Sequence, residues 1–259
     1  MKLSVIIAVL NSPEIFHRQC LHWAKLNLPN DIEFLIVDDG SDDLLQNYGL
    51  LQNYGVRNLH ILRREPLIID GQRAWTVELA RNMAAHLSHA DYLLMTDIDY
   101  IIPRDAFTTV YTLQEDKARF RREFGVLDEA GNVTQDFDTL RQYGLLESRI
   151  KERGTKLPPH PNNFIMRRET FWKLGGYQED LVTRPYPNKG DTYFKRRWAE
   201  ALTAGKVTEQ HADLRKTLYM FPNGQYCGDV DYNPFDLFHA LTRKTPANHW
   251  FTHPRHHDS

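Results

Sequence analysis

An α/β fold whose mainly parallel sheet is covered by helices on both faces is what this sequence predicts, and three observations predict it. Strand-like and helix-like patterns alternate from the N-terminus, the strand-like runs are almost continuously apolar, and each stops at an asparagine or at aspartates. Parallel strands buried on both faces lose the polar–apolar alternation of half-exposed strands. Ligands of such sheets bind beyond the carboxyl ends of the strands, where these terminal polar residues fall. At 259 residues the chain can bury one substantial core, so a single domain over 1–259 is expected.

The elements follow in order. Lys2 to Leu10 is a β-branched run closed by Asn11, and Ser12-Pro13-Glu14 opens an apolar-periodic helix. Lys2 ahead of an apolar run imitates a signal peptide, but the run is short, is broken at Asn11-Ser12-Pro13 and lacks a small-x-small cleavage site. It reads as the first strand. Glu33 to Val37 is the second strand and ends in Asp38-Asp39-Gly40-Ser41. Leu44 to Gly49 is then repeated at once as Leu50 to Gly55, too short a repeat for a solenoid. It lengthens the connection from Ser41, a plausible N-cap, to a strand at Asn58 to Leu62.

Arg73 to Ala90 reads as a helix with Trp75, Leu79, Met83 and Leu87 on its core stripe and with Arg81 and Asn82 off it. Tyr92 to Thr96 is the next buried strand. From Pro103 to Asn162 the composition turns charged and polar, with a hairpin pairing Phe124–Leu127 with Gly131–Val133. Gly154 to Asn163, with Pro158, Pro159 and Pro161, reads as an irregular loop before a strand at Asn163 to Met166. Arg167 to Leu174 is a short helix stopped by Gly175-Gly176. A further helix follows Gly190-Asp191, and the C-terminal part is rich in histidine: His239, His249, His253, His256 and His257.

A formal net charge of −2 carries no global signature for nucleic acid or membrane. The local clusters Arg119, Arg121, Arg122 and Lys195, Arg196, Arg197 read as solvated helix faces. No stretch approaches the ~20 apolar residues that cross a bilayer. Cys20 and Cys227 make neither a disulfide framework nor a zinc pattern, which fits a reducing cytoplasm, so a cytoplasmic location is expected.

The chemistry is concentrated at Asp97-Ile98-Asp99, directly after the Tyr92 to Thr96 run. Residues two apart on an extended chain share a side, so the two carboxylates converge while Ile98 turns to the core. Paired carboxylates repel unless a cation or donors offset them, and hard oxygen ligands suit Mg²⁺ or Mn²⁺ shared with a substrate's phosphates. The alternative is that the motif merely starts a surface turn.

Taken together, Ser4 to Asn11, the Glu33 to Ser41 strand and turn, Ala80-Arg81-Asn82, Asp97-Ile98-Asp99 and Gly175-Gly176-Tyr177-Gln178-Glu179 resemble the family 2 glycosyltransferases of the GT-A fold, in order and spacing over about residues 1–200. The resemblance implies a GT-A, Rossmann-like sheet and inverting transfer of a sugar from a nucleotide-diphosphate sugar, a UDP-sugar first, to an acceptor hydroxyl. It implies a nucleotide-sugar-binding half over 1–102, an acceptor and catalytic half over 103–235 and a C-terminal segment over 236–259. The donor would lie against Ala8, Leu10, Asn11, Asp38, Asp39, Arg81, Asp97 and Ile98. Asp99, Asp97 and His239 would hold Mn²⁺ or Mg²⁺.

The family's general base falls on Asp191, with Glu179 and Asp180 as reserve candidates. Asp191 is equally well placed to cap its helix, Arg81 to pair with Glu78 or another acid, and Asp38 and Asp39 to cap the helix after them. Gln178 stands where the family usually has Asp. The acceptor is a glycan, a glycolipid or another hydroxyl compound, modified nucleic acid being possible but not indicated by charge. A nucleotidyltransferase would share the sheet and the carboxylates, but the N-terminal region lacks a Gly-rich phosphate loop carrying a basic residue. An inactive carbohydrate-binding relative is the other alternative.

Overall fold

The computed structural model describes residues 1–10, 12–41, 54–69, 72–73, 76–128, 130–142, 156–157, 159–160, 162–179, 190–210 and 217–220. The first half runs β1 (Leu3–Val9), α1 (Pro13–Lys25), β2 (Ile32–Asp38), β3 (Leu59–Arg63), β4 (Ile68–Ile69), β5 (Gln72–Arg73), α2 (Val77–Leu87), β6 (Tyr92–Asp97), β7 (Tyr100–Ile101) and α3 (Arg104–Phe107). It continues through β8 (Lys117–Arg119), β9 (Arg121–Phe124), β10 (Val126–Leu127), β11 (Val133–Thr134), α4 (Phe137–Gln142) and β12 (Lys156–Leu157). The last elements are β13 (Phe164–Arg167), α5 (Arg168–Lys173), α6 (Gly190–Thr203), β14 (Glu209–Gln210) and β15 (Thr217–Met220).

Among the described residues the main sheet has seven strands in the order β14-β8-β13-β6-β1-β2-β3. All neighbours are parallel except β13, which runs antiparallel to both β6 and β8. The expected mixed, mainly parallel sheet is therefore what forms. Side chains alternate across it: Leu3, Val5, Ile7 and Val9 pack with Ile15, Phe16, Cys20 and Trp23 of α1, whereas Ile6 packs with Ala80, Ala84 and Ala85 of α2. On the α1 side Trp23 stacks on Phe34 at 4.5 Å between centroids, worth about 0.5–1.5 kcal/mol beyond the area buried. A four-stranded sheet, β12-β9-β15-β7, lies beyond the end of β6, and the expected hairpin is β10 with β11.

The reading of α2 needs correction. It starts at Val77, after the β4–β5 hairpin, and its buried face is Glu78, Ala80, Arg81, Asn82, Ala84 and Ala85. Leu87 is 48% exposed, Leu79 and Met83 are only partly buried, and Trp75 lies outside the described residues. Small alanines bring the helix close to the sheet, and the polar residues between them are buried because the fold supplies their partners. Nor are the basic clusters simply solvated helix faces. Arg119 and Arg122 stand on strands, bonded to Glu209 and to the Tyr100 hydroxyl, while Lys195 pairs with Asp191 and Arg197 donates to the Gly176 carbonyl.

Candidate functional site

Three parallel strands deliver the polar termini to one edge. In the register of β1 with its neighbours, Ala8 lies opposite Asp97 of β6 and Val9 opposite Asp38 of β2. Ala8 and Leu10 therefore sit between the two acidic strand ends, both partly buried. The backbone keeps this edge tight: the Asp39 amide donates to the Val9 carbonyl and the Arg64 amide to the Asp38 carbonyl, each at 2.9 Å.

Asp38 and Asp39 are buried but not unopposed. The Asp38 carboxylate accepts from the Ser41 amide and from Arg63, both at 2.9 Å, and the Asp39 carboxylate accepts from Arg64 and from the Thr76 hydroxyl. β3 thus brings an arginine to each aspartate, and Thr76 links Asp39 to the start of α2. Gly40 permits the turn: its φ is +84°, and a Cβ there would meet Pro66 at 2.9 Å.

On the other side of β1, Arg81 is buried against Asp97, to which its guanidinium donates, with a second contact to the Thr96 carbonyl at 3.3 Å. Burial disfavours the Arg81 charge, but Asp97, Tyr177 and Glu78 together outweigh it and raise its pKa. Asp97 closes β6, Ile98 is buried in the core of the α1 face, and Asp99 sits in the turn to β7. Asp99 is only 7% exposed and its Oδ1 has no hydrogen-bond partner among the described residues. Burial and then the charge of Asp97 push its carboxyl up to about 8, against the weaker pull of Arg122 and Arg81. A buried carboxylate beside another, with an orphaned oxygen, matches the donor set of a hard divalent cation.

The facing wall comes from later elements. Asp191, near the start of α6, binds Lys195 at 2.7 Å and accepts from Asn162 at 3.2 Å. Burial opposes its ionisation, but the hydrogen bond and charge of Lys195, helped by Asn162 and Thr192, hold its pKa below the usual value. The buried Tyr177 phenol feels Arg81, Asp97, Glu78 and Asp191 together. His160 feels Asp97, Arg122, Lys195 and Arg81, and burial lowers its pKa to about 4. Tyr177 thus lies within electrostatic reach of both Asp97 and Asp191, and His160 of Asp97 and of Lys195, the partner of Asp191. Glu179 is exposed and accepts from Asn82, whose side chain also bonds the Tyr177 backbone at both N and O. The glycine stop before it is strained for any other residue, since Gly175 and Gly176 have φ of +82° and +58°.

The structure thus brings Ala8, Leu10, Asp38, Asp39, Arg81, Asp97, Ile98 and Asp99 to one end of the sheet, and Tyr177 feels the charges of both Asp97 and Asp191. Asn11, Asp180 and His239 lie outside the described residues. Among the described residues no three His, Cys, Asp or Glu side chains gather as a metal site on their own. Sequence reasoning missed His160, Asn162, Arg122 and the roles of Arg63 and Arg64. The last three had a signal, a cation immediately after or within a strand, but nothing in the sequence says which acid each meets.

Residues 4–175 match the model of Glycosyl transferase family 2. No curated protein sequence matches the chain. Among solved structures, S. aureus TarS residues 1–349 is similar at 18% identity and TM-score 0.53, over 94% of this chain and 65% of that one. A longer S. aureus TarS structure is similar at 19% identity and TM-score 0.53, but the chain spans only 39% of its length. The mannosyltransferase PcManGT from Pyrobaculum calidifontis, in complex with GDP-Man and Mn²⁺, is similar at 15% identity and TM-score 0.51, over 96% of this chain and 71% of that one. These likenesses establish a GT-A fold, and the family match, over well more than half of the sequence, establishes that the chain belongs to glycosyl transferase family 2.

Proposed function

We propose that the protein transfers a sugar from a nucleotide-diphosphate sugar to an acceptor hydroxyl with inversion at the anomeric carbon. The observation that carries this reading is the buried Asp99 carboxyl, orphaned at Oδ1 and set beside Asp97 at the carboxyl end of a central strand. Asp99 with Asp97 would hold Mn²⁺ or Mg²⁺, and His239 would join them. When bound, the ion neutralises charge on the departing diphosphate. A UDP-sugar is the donor to test first, and a GDP-sugar, the class named for the Pyrobaculum enzyme, second.

The chain's own residues do the rest. Asp38 and Asp39, fixed by Arg63 and Arg64, offer acceptor oxygens to the nucleoside beside Ala8, Leu10 and Asn11, within a donor half spanning 1–102. Arg81 places a permanent positive charge at Asp97, where the diphosphate leaves. Across the site, in the half spanning 103–235, Asp191 accepts the proton of the acceptor hydroxyl as its oxygen bonds to the anomeric carbon and the bond to the diphosphate breaks. Its lowered pKa keeps it ionised at neutral pH, and Asn162 and Lys195 fix its orientation. Glu179 and Asp180 stand nearby in sequence, and Glu179 is tied to Asn82 in a way that suits holding an acceptor more than moving its proton. The acceptor is a glycan, a glycolipid or another hydroxyl compound. No helix among the described residues is long and apolar enough to cross a membrane, and the free, buried Cys20 agrees with a cytoplasmic setting.

Asp191→Asn tests the assignment. Sugar transfer should fall ~10²–10⁴-fold while UDP binding with Mn²⁺, read by calorimetry, is retained. Full transfer activity in this variant would move the base to Glu179 or Asp180. A loss of donor binding equal to the loss of transfer would make Asp191 a structural cap. Donor binding without transfer in the wild type, across an acceptor panel, would favour an inactive carbohydrate-binding relative.

A further inference from the structure

The apolar face of α1 carries one residue that stability alone does not explain. Gln19 is 0% exposed, among Ile15, Phe16, Cys20 and Trp23. Its Nε2 donates to the Ile98 carbonyl and to the Tyr100 carbonyl, both at 2.9 Å. Those two peptide groups bracket Asp99. One turn further along α1, His22 contacts the Ile102 carbonyl at 3.1 Å and the Gly131 carbonyl at 3.2 Å. Two polar residues on the buried face of α1 thus grip the backbone from 98 to 102, the segment that turns β6 into β7.

A primary amide has two N–H groups, and here both are spent on the carbonyls flanking a single carboxylate. Its own oxygen gains nothing in return, because Gln19 Oε1 is buried with no partner among the described residues. A buried amide left half-satisfied costs more than an apolar residue of similar shape would. The compensation is geometric. Asp99 lies in a turn, where the chain has no ladder of its own until β7 pairs with β15 through Ile101 and Tyr100. The two bonds from Gln19 pin the peptide plane that leads into Asp99 and the one that follows Tyr100, holding the turn at both ends.

We propose that Gln19 is a positioning residue for the metal-binding carboxylate, fixing the turn so that the buried Asp99 carboxyl is presented to the cation rather than to solvent or to Arg122. The inference rests on the reading of Asp97 and Asp99 as cation ligands. It adds a residue from another element, on the opposite face of the sheet from Arg81. Groups that orient metal ligands through one hydrogen bond typically change metal affinity by about 10–100-fold when removed, and that is the effect assigned to Gln19.

The test uses the full chain and two readouts other than turnover. Free Mn²⁺ is followed by its paramagnetic resonance signal as protein and UDP are added, and UDP is titrated calorimetrically with Mn²⁺ and again with EDTA. Gln19→Met keeps length and volume and removes both donors. Mn²⁺ affinity in the presence of UDP should fall about 10–100-fold, while UDP binding in EDTA stays at the wild-type value. Wild-type Mn²⁺ affinity in a folded Gln19→Met protein overturns the proposal. So does an equal loss with Mn²⁺ and with EDTA, which marks general damage to the pocket. Should the methionine variant fail to fold, Gln19→Asn keeps the amide but draws it back by one carbon. It is expected to lose Mn²⁺ affinity in the same selective way, and wild-type affinity in it overturns the proposal as well. Absence of any Mn²⁺-dependent gain in the wild type is a distinct result: it removes the cation reading of Asp97 and Asp99 itself, and the role of Gln19 with it.

Discussion

Replacing Asp99 with asparagine is expected to stabilise the protein and to disable its donor binding, two effects of opposite sign from one atom. Burial and the neighbouring Asp97 charge lift the Asp99 pKa from 3.8 to about 8. At pH 7 the folded protein therefore keeps a proton that the unfolded chain has released. At 1.36 kcal/mol per unit, that retention costs up to about 4 kcal/mol. The sign follows from the direction of the shift. With the folded value raised, the penalty is absent below pH 4, grows as the pH climbs, and is complete once the folded value near 8 is passed.

Asparagine carries no such penalty. Its melting temperature should exceed that of the metal-free wild type at pH 7–8, by about 2–4 °C for each kcal/mol recovered, and should match it near pH 4. The same substitution withdraws an anionic oxygen from the cation, so calorimetric affinity for UDP with Mn²⁺ should fall at least ~10-fold. Thermal melts across pH, paired with the titration, read both arms. A variant that melts below the wild type at pH 8 and binds UDP with unchanged Mn²⁺ dependence would falsify the reasoning, because Asp99 would then be an ordinary structural acid.

Two further substitutions separate the sides of the site. Asp39→Ala leaves Arg64, itself largely buried, without that carboxylate and removes the acceptor of the Thr76 hydroxyl; stability should drop by about 2–4 kcal/mol and UDP affinity by more than that loss explains. A melting shift with unchanged UDP affinity would show that the residue only anchors Arg64. Asn82→Ala removes three hydrogen bonds to the Tyr177–Glu179 turn; with each worth about 1 kcal/mol, stability should fall by up to about 3 kcal/mol. Acceptor KM should rise while UDP affinity holds, and a matching loss of UDP affinity would refute the separation of sides.

The central sheet was legible because its signal is redundant. Apolar runs in β1, β2 and β6 leave no face for water, and the asparagine or aspartates that stop them mark the strand ends without reference to any partner. The Gly175-Gly176 stop was legible for a local reason too, since both residues take positive φ. What failed was α2. Four-residue spacing picked out Leu79, Met83 and Leu87, yet Leu87 faces solvent and the residues inside are Arg81 and Asn82. A hydrophobic period names the buried face only where burial is driven by transfer of apolar surface. On α2 that face is defined by small alanines and by polar groups whose partners, Asp97 and the Tyr177 backbone, come from elsewhere in the chain. The same holds for Gln19, whose value lies in two carbonyls roughly eighty positions away.

That failure locates the chemistry. Arg81 and Asn82 are consecutive, and on a helix consecutive side chains point about 100° apart. One therefore reaches the acidic end of β6 while the other reaches the turn that carries Glu179. Both are buried, so neither is free to drift, and a single turn of α2 fixes the spacing between Asp97 and the Tyr177–Glu179 turn. From the other face of the sheet α1 holds the Asp99 turn through Gln19. The carboxylate pair is thereby gripped between two helices on opposite faces of one sheet. Such a pair is held where unaided electrostatics would drive it apart, and the proposed cation and diphosphate would supply the charge that offsets that cost.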